Sequence, residues 1–116
     1  MDGYTLKDFI LKQDMEQIIK KPFTIELYKD YWGQDSDGLY KQSVQVEGIT
    51  ANDEPIIELD LRNVNPINAA KIKSAWGKVD YADTNDNEIV FVALNEKPAE
   101  NLTLMGYYYT GIKVEE

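Results

Sequence analysis

Between residues 65 and 98 the sequence NPINAAKIKSAWGKVDYADTNDNEIVFVALNEKP holds a helix start, a helix stop, a turn and a strand in succession. That order commits the chain to a mixture of helix and strand. Asn65 is a good N-cap, because its side-chain oxygen can accept a free backbone N–H, and Pro66 suits the first helical position, where no donor is needed. From there Ala69, Ile72, Ala75, Trp76 and Val79 share one face at about 100° per residue, and Ile67, Lys71, Ser74 and Lys78 share the other. Gly77 reads as the residue just past the helix end, with Lys71, Lys73 and Lys78 placing positive charge toward the negative pole. Thr84-Asn85-Asp86-Asn87 is a turn, and Glu88 opens an apolar, β-branched strand that runs to Leu94 and is stopped by Asn95 and Pro98.

The chain has 116 residues, enough for one domain with a single core. It has no cysteine and no histidine, which removes disulfides, thiolate metal sites, cysteine nucleophiles, the usual general base and the commonest zinc ligand. Chemistry would have to rest on carboxylates, tyrosines or lysines. The net charge is −9, from 21 acids against 12 bases, so a phosphate backbone would be repelled and no nucleic-acid partner is expected. The first residues, Met1-Asp2-Gly3-Tyr4, lack the basic flank and apolar run of a signal peptide, and no apolar stretch is long enough to span a membrane. A protein made and folded in a cytoplasm, with no membrane partner, is expected.

Taken in order, residues 5–20 read as a helix, with Thr5 as cap and Asp8 three residues on. Its apolar positions do not form one stripe. Leu6, Phe9 and Ile10 point one way, while Leu11, Met15, Ile18 and Ile19 point roughly the other. Two short helices broken near Gln13-Asp14 would explain this, and so would one helix held between its own domain and a second chain. Lys20-Lys21-Pro22 ends the segment. Residues 23–30 (FTIELYKD) alternate as a half-buried strand with Phe23, Ile25 and Leu27 inward. After Tyr31-Trp32-Gly33 and the turn Gln34-Asp35-Ser36-Asp37-Gly38, residues 39–48 form a second strand, with Tyr40, Val44 and Val46 inward, completing a hairpin. Asn52-Asp53-Glu54-Pro55 is a turn, followed by a short strand with Ile57, Leu59 and Leu61 set against Glu58 and Asp60. Residues 102–110 are a last strand, and residues 111–116 a charged tail.

Three features could carry function. Asp83-Thr84-Asn85-Asp86-Asn87-Glu88 matches the opening of a calcium loop, in which alternate oxygen side chains converge on a cation, but Glu88 stands at the glycine position and Leu94 at the bidentate glutamate position. A plain hairpin turn explains the same residues. Asp35-Ser36-Asp37-Gly38 is likewise a hairpin turn, and carboxylate pairs of the kind a hydrolase uses are easily accidental among 21 acids. Tyr107-Tyr108-Tyr109 is more unusual, because three successive aromatics on a strand must face both sides of the sheet. With Trp32, Tyr107 and Tyr109 could make a sugar platform; with Leu11, Met15 and Ile18, all three tyrosines could serve a protein interface. One core face and a lone exposed tyrosine would be the plainer arrangement.

The run Trp32 … Leu39-Tyr40-Lys41-Gln42-Ser43-Val44-Gln45-Val46-Glu47-Gly48-Ile49-Thr50 … Pro55-Ile56-Ile57 resembles a small domain of prophages and phages of Gram-positive bacteria, in which a tryptophan precedes a Y-x-Q-x-V-x-V-x-G-(I/V) strand and a D-x-P-(I/V) turn. The second half is similar too: Ala75-Trp76-Gly77-Lys78-Val79 on a helix, Thr84 to Asn87 as a turn, Ile89-x-Phe91-x-Ala93 on a strand, Lys97-Pro98, and a final strand from Leu102. The likeness covers roughly residues 23–110. It implies a structural or host-adsorption component of the tail or baseplate, located in the virion and in the host cytoplasm during assembly, without known chemistry.

The expected architecture is therefore α+β: an antiparallel β-sheet or small β-sandwich with one packed helix and an additional N-terminal helix. Residues 1–22 would form the N-terminal helical segment and residues 23–116 a single α+β domain. The expected function is non-enzymatic structural assembly in a phage tail, as a homo-oligomer that contacts other tail proteins. No catalytic, cofactor or metal site is expected. A carbohydrate-binding module that reads host cell-surface glycans is the alternative, and a small carboxylate-dependent hydrolase a third reading.

Overall fold

The computed structural model describes residues 16–113. In chain order the elements are β1 (Glu16–Leu27), a 3-10 turn (Lys29–Tyr31), β2 (Gly33–Gln34), β3 (Tyr40–Gln45), β4 (Ile56–Leu59), α1 (Pro66–Trp76), β5 (Tyr81–Asn85), β6 (Glu88–Ala93) and β7 (Leu102–Lys113). They form two antiparallel sheets, β1-β7-β4 and β2-β3-β6-β5, so the α+β class expected from sequence is the one observed.

Alternation along β1 and β7 builds the core. Ile25 and Leu27 from β1 and Leu102, Leu104 and Tyr108 from β7 are buried against Ile89, Phe91 and Ala93 of β6, with Val44 of β3 beside them. The helix closes the open side as its apolar spacing requires. Ala75 is buried, Ile72, Trp76 and Val79 pack on the core, and Trp76 meets Phe91 edge-on at 6.4 Å. Asn65 caps as read, its Oδ1 accepting from the Ile67 N–H at 3.0 Å. Ile67, on the opposite face, is exposed.

Five expectations are corrected. The first is the helix over residues 5–20. Residues 16–20 are strand, paired one for one with β7 from Glu16↔Lys113 onward; residues 5–15, with Leu11 and Met15, lie outside the described residues. The missing single stripe is explained over this part, since Ile18 and Ile19 face opposite sides of a sheet. The strand also passes through Pro22, which sequence had as a stop, and so a domain boundary at residue 22 would fall inside β1. An edge strand tolerates proline wherever the missing N–H would face away from the ladder.

Second, of the expected turn Thr84 to Asn87, Thr84 and Asn85 are strand residues that end β5. Its sequence, YADTN, has little strand propensity, but pairing with the buried β6 makes it the edge of the second sheet. Third, Gly77 caps α1 at φ −62°, a right-handed conformation, so the freedom of glycine is not what ends the helix. Fourth, β4 stops at Leu59 and the following Asp60 is buried rather than outward. Fifth, at the other end of the chain, residues 111–113 continue β7 instead of starting a tail.

At Gly106 the first sheet is crowded. A Cβ there would lie 2.5 Å from the Ile56 carbonyl oxygen and 2.9 Å from Cζ of Phe23, whose ring covers the glycine. Gly106→Ala is expected to destabilise by about 1–3 kcal/mol, the usual cost of overpacking a filled site, read as a lower urea midpoint. An unchanged midpoint would show that the β4 backbone at Ile56 and the Phe23 ring both give way at little cost.

Candidate interaction surface

Strand alternation sends every second side chain of the first sheet away from the core. On that outer face Tyr107 of β7 lies between Pro22 of β1 and Ile56 of β4, and Met105 lies between Thr24 and Glu58. One position further along, Tyr109 is opposite Lys20. A polar face would suit a sheet wetted on one side, yet Ile18 is 74% exposed, Ile56 54% and Tyr109 53%. Between them runs a shallow groove of about 620 Å³, lined by Pro22, Ile56, Met105 and Tyr107, with Lys20 and Arg62 among its polar lining.

Its two cations are held in place. The Lys20 ammonium sits 4.2 Å over the Tyr107 ring, an attraction to the electron-rich face. Arg62, the only arginine of the sequence, is gripped by Asp60 through two side-chain bonds, 2.9 Å from Nε and 2.8 Å from Nη2, while the Arg62 backbone N–H donates to the same carboxylate at 3.0 Å. The Asp60 side chain is mostly covered and the Arg62 side chain mostly exposed, so an inner acid aims an outer base. The Arg62 side-chain hydrogen bond, aided by its backbone N–H, holds the Asp60 carboxyl down at about 2 against an ordinary 3.8.

The tyrosine run divides as strand geometry demands. Tyr108 is buried, tilted against Phe23, and its hydroxyl donates to the Glu47 carbonyl at 3.2 Å. It belongs to the core, so its place among the interface residues is corrected. Tyr107 and Tyr109 share the outer face, centroids 5.6 Å apart, with ring planes at 78°. Nearly perpendicular rings give no flat platform, and Lys20 covers a face of one of them. Trp32 is 7% exposed and packed in the core, which removes it as a surface for sugar stacking; its Nε1–H finds no acceptor among the described residues. Of the residues singled out from sequence, the structure therefore brings together Ile18, Tyr107 and Tyr109. It adds Lys20, Ile56, Met105 and Arg62. Ile56 and Met105 could have been found as the apolar residues out of phase with their strands' buried positions.

The two acidic turns have local roles. Asp83 to Glu88 spans a ladder, with Asn85 paired to Glu88 across the two residues Asp86 and Asn87. Asn87 takes φ 64° and its Oδ1 accepts from the Gly48 N–H at 2.8 Å, tying this turn to the end of β3. Among the described residues, no three acids gather as metal ligands. In the other turn Asp35 Oδ1 accepts from the Asp37 and Leu39 N–H groups at 2.9 and 3.0 Å, and Gly38 supplies φ 84°.

No family model, curated protein or solved structure matches the chain.

Two outcomes check this assignment. Tyr108→Phe is expected to cost about 1 kcal/mol by losing one hydrogen bond, whereas Tyr109→Ser stays within about 0.5 kcal/mol of the parent. Equal effects would mean that the two rings had been placed on the wrong faces. The second concerns pH. Because the folded-state value of Asp60 is depressed, its contribution to stability is complete above about 3.8 and is lost as pH falls through about 2. Asp60→Asn should flatten that part of the acid stability profile; a profile that keeps its slope would remove the Arg62 pair as its source.

Proposed function

We propose that the protein is a non-enzymatic structural component of a phage or prophage tail, in the baseplate or adsorption apparatus, and that it works by assembling with copies of itself and with other tail proteins. The supporting observation is the outer face of the first sheet, where Ile18, Ile56 and Tyr109 are exposed along one surface. Apolar groups gathered this way on a domain face mark a contact with another macromolecule. Tyrosine, methionine and arginine are also the residues enriched at protein interfaces, and all three meet at this groove. The resemblance of residues 23–110 to phage tail and baseplate domains supplies the setting in which such a contact would be used.

Recognition of host glycans by Tyr107 and Tyr109 is less well supported, because a pyranose ring needs an open, flat aromatic face and this pair is edge-to-face.

The test is made on particles released from a lysogen that carries this reading frame. Mass spectrometry of purified virions is expected to find the chain at the copy number of a repeating tail component, and Ile56→Ser with Tyr109→Ser to reduce its incorporation while the variant still folds. Virions that lack the chain would end this reading. Cell-wall glycan fragments are expected to leave the melting temperature unchanged; a rise that Tyr109→Ala abolishes would favour the glycan reading instead.

A further inference from the structure

The first sheet is uneven in width. β4 reaches β7 only from Leu104 to Tyr107, so beyond that point β1 and β7 continue as a two-stranded ribbon, from Lys20↔Tyr109 to Glu16↔Lys113. Two strands alone are marginally stable in water, and a third strand is the usual remedy. The ribbon also carries Ile18, the more exposed of the outer-face residues at 74%.

The direction of the backbone groups on its open side follows from one bond. Thr103 accepts from the Asp60 N–H at 2.9 Å on the β4 side of β7. Backbone groups alternate in direction along a strand, so positions 105, 107, 109 and 111 also face away from β1. Their partners on β1 are Thr24, Pro22, Lys20 and Ile18, which turn their own backbone groups outward to the free edge. Pro22 fits this assignment because a proline there leaves no ladder bond unmade.

The edges outside the ribbon are closed or short. β2 has two residues and β4 has four, and β5 carries Asp83 at its middle, with Thr84 Oγ1 bonded to the carbonyls of Ala51 and Asp53. Lys20 would ordinarily guard the β1 edge, but its ammonium is drawn back over Tyr107. Among the described residues, the ribbon thus leaves two long edges open, β1 below Pro22 and the far side of β7 beyond Tyr107, and β1 is the one that carries Ile18.

The geometry points to a second copy of this chain as its occupant, with β1 pairing antiparallel to β1 of the partner about a two-fold axis at Ile18. This deepens the assembly reading above and rests on it. In that register the two Ile18 residues exchange both backbone bonds and meet on the outer face. Position 16 of each copy falls opposite position 20 of the other, a glutamate across from a lysine. Two-fold axes at the neighbouring outward positions set like charges together, lysine on lysine at 20 or glutamate on glutamate at 16, and an axis at 22 meets two prolines without donors. An axis at 24 would still spend Pro22 on a ladder position. Among two-fold axes at outward positions, the charge pattern of the edge therefore favours the one at Ile18. The product is an isologous dimer whose two three-stranded sheets join into one of six strands.

The sequence has no cysteine, so single cysteines report contacts without background. Across a hydrogen-bonded antiparallel pair the Cα atoms stand about 5.5 Å apart, within the span of a disulfide. The experiment uses the full chain, with light scattering of the parent followed by mild oxidation of Ile18→Cys and, as an exposed control, Ser36→Cys. Expected are a parent mass twice the 13.3 kDa of one chain, a covalent dimer from Ile18→Cys and none from Ser36→Cys. Gln17→Cys mixed with Ile19→Cys should cross-link as a pair while neither does so alone. Ile18→Lys should halve the mass and lower the melting temperature only to that of the parent diluted to monomer, since the side chain is exposed in the single chain and association itself stabilises the fold. A parent that self-associates without the Ile18 cross-link overturns the register and leaves assembly standing. A parent that stays monomeric at every concentration overturns the self-contact, and the presence of the chain in virions then decides the assembly reading separately.

Discussion

The rest of the structure depends on β7 being paired along both edges. Its backbone satisfies β1 over twelve residues and β4 over four, and one of its faces supplies Leu102, Leu104 and Tyr108 to the core. Removing it would leave β1 and β4 without partners in the first sheet, and Ile89 and Phe91 of the second without an opposing layer. Gly106 is the point where this doubly paired strand is most tightly held, because the Ile56 carbonyl and the Phe23 ring both close on the space where a side chain would be. The arrangement is strongly non-local: residues near one end of the chain are joined to residues near the other, so the loop between them must close before the first sheet can form.

Local chemistry made much of this legible. Asn65 and Pro66 announce α1, and its apolar face meets the core through Ile72, Ala75 and Trp76. Gly38 and Asn87 stand where a left-handed backbone was needed and the turn signals were strong. The tyrosine run was read as two-faced, which it is. What was not legible depends on partners distant in sequence. Residues 16–20 have apolar spacing that also fits part of a helix, and only pairing with β7 decides for strand. β5 is polar and becomes a strand because β6 offers it an edge. Asp60 looked like a solvated residue and is buried because Arg62, two positions on, folds back to neutralise it. Trp32 looked available to a ligand, but nothing local could reveal that the two sheets close over it.

The candidate surface was half visible for the same reason. Tyr107 and Tyr109 stand out by type, while Ile56, Met105 and Arg62 join them only because β4 and the turn after it are laid beside β7. The result is an apolar face carrying two restrained cations on a chain of net charge −9. Both cations are already engaged within the chain, one by an aromatic ring and one by a carboxylate, so the surface favours a partner that covers apolar area over one that merely carries negative charge.

The antiparallel register of β1 and β7 has a mechanical consequence. Glu16 and Lys113 are direct partners at the far end of the ribbon, so the two ends of the ladder emerge side by side. Tension applied between them acts on the outermost bonds first and peels the strands apart one pair at a time, the weakest loading direction for a β-ladder. Tension directed along β1 and β7 from opposite ends of the ladder would instead load the twelve pairs together. The fold thus has a compliant axis and a stiff one, set by where force enters it.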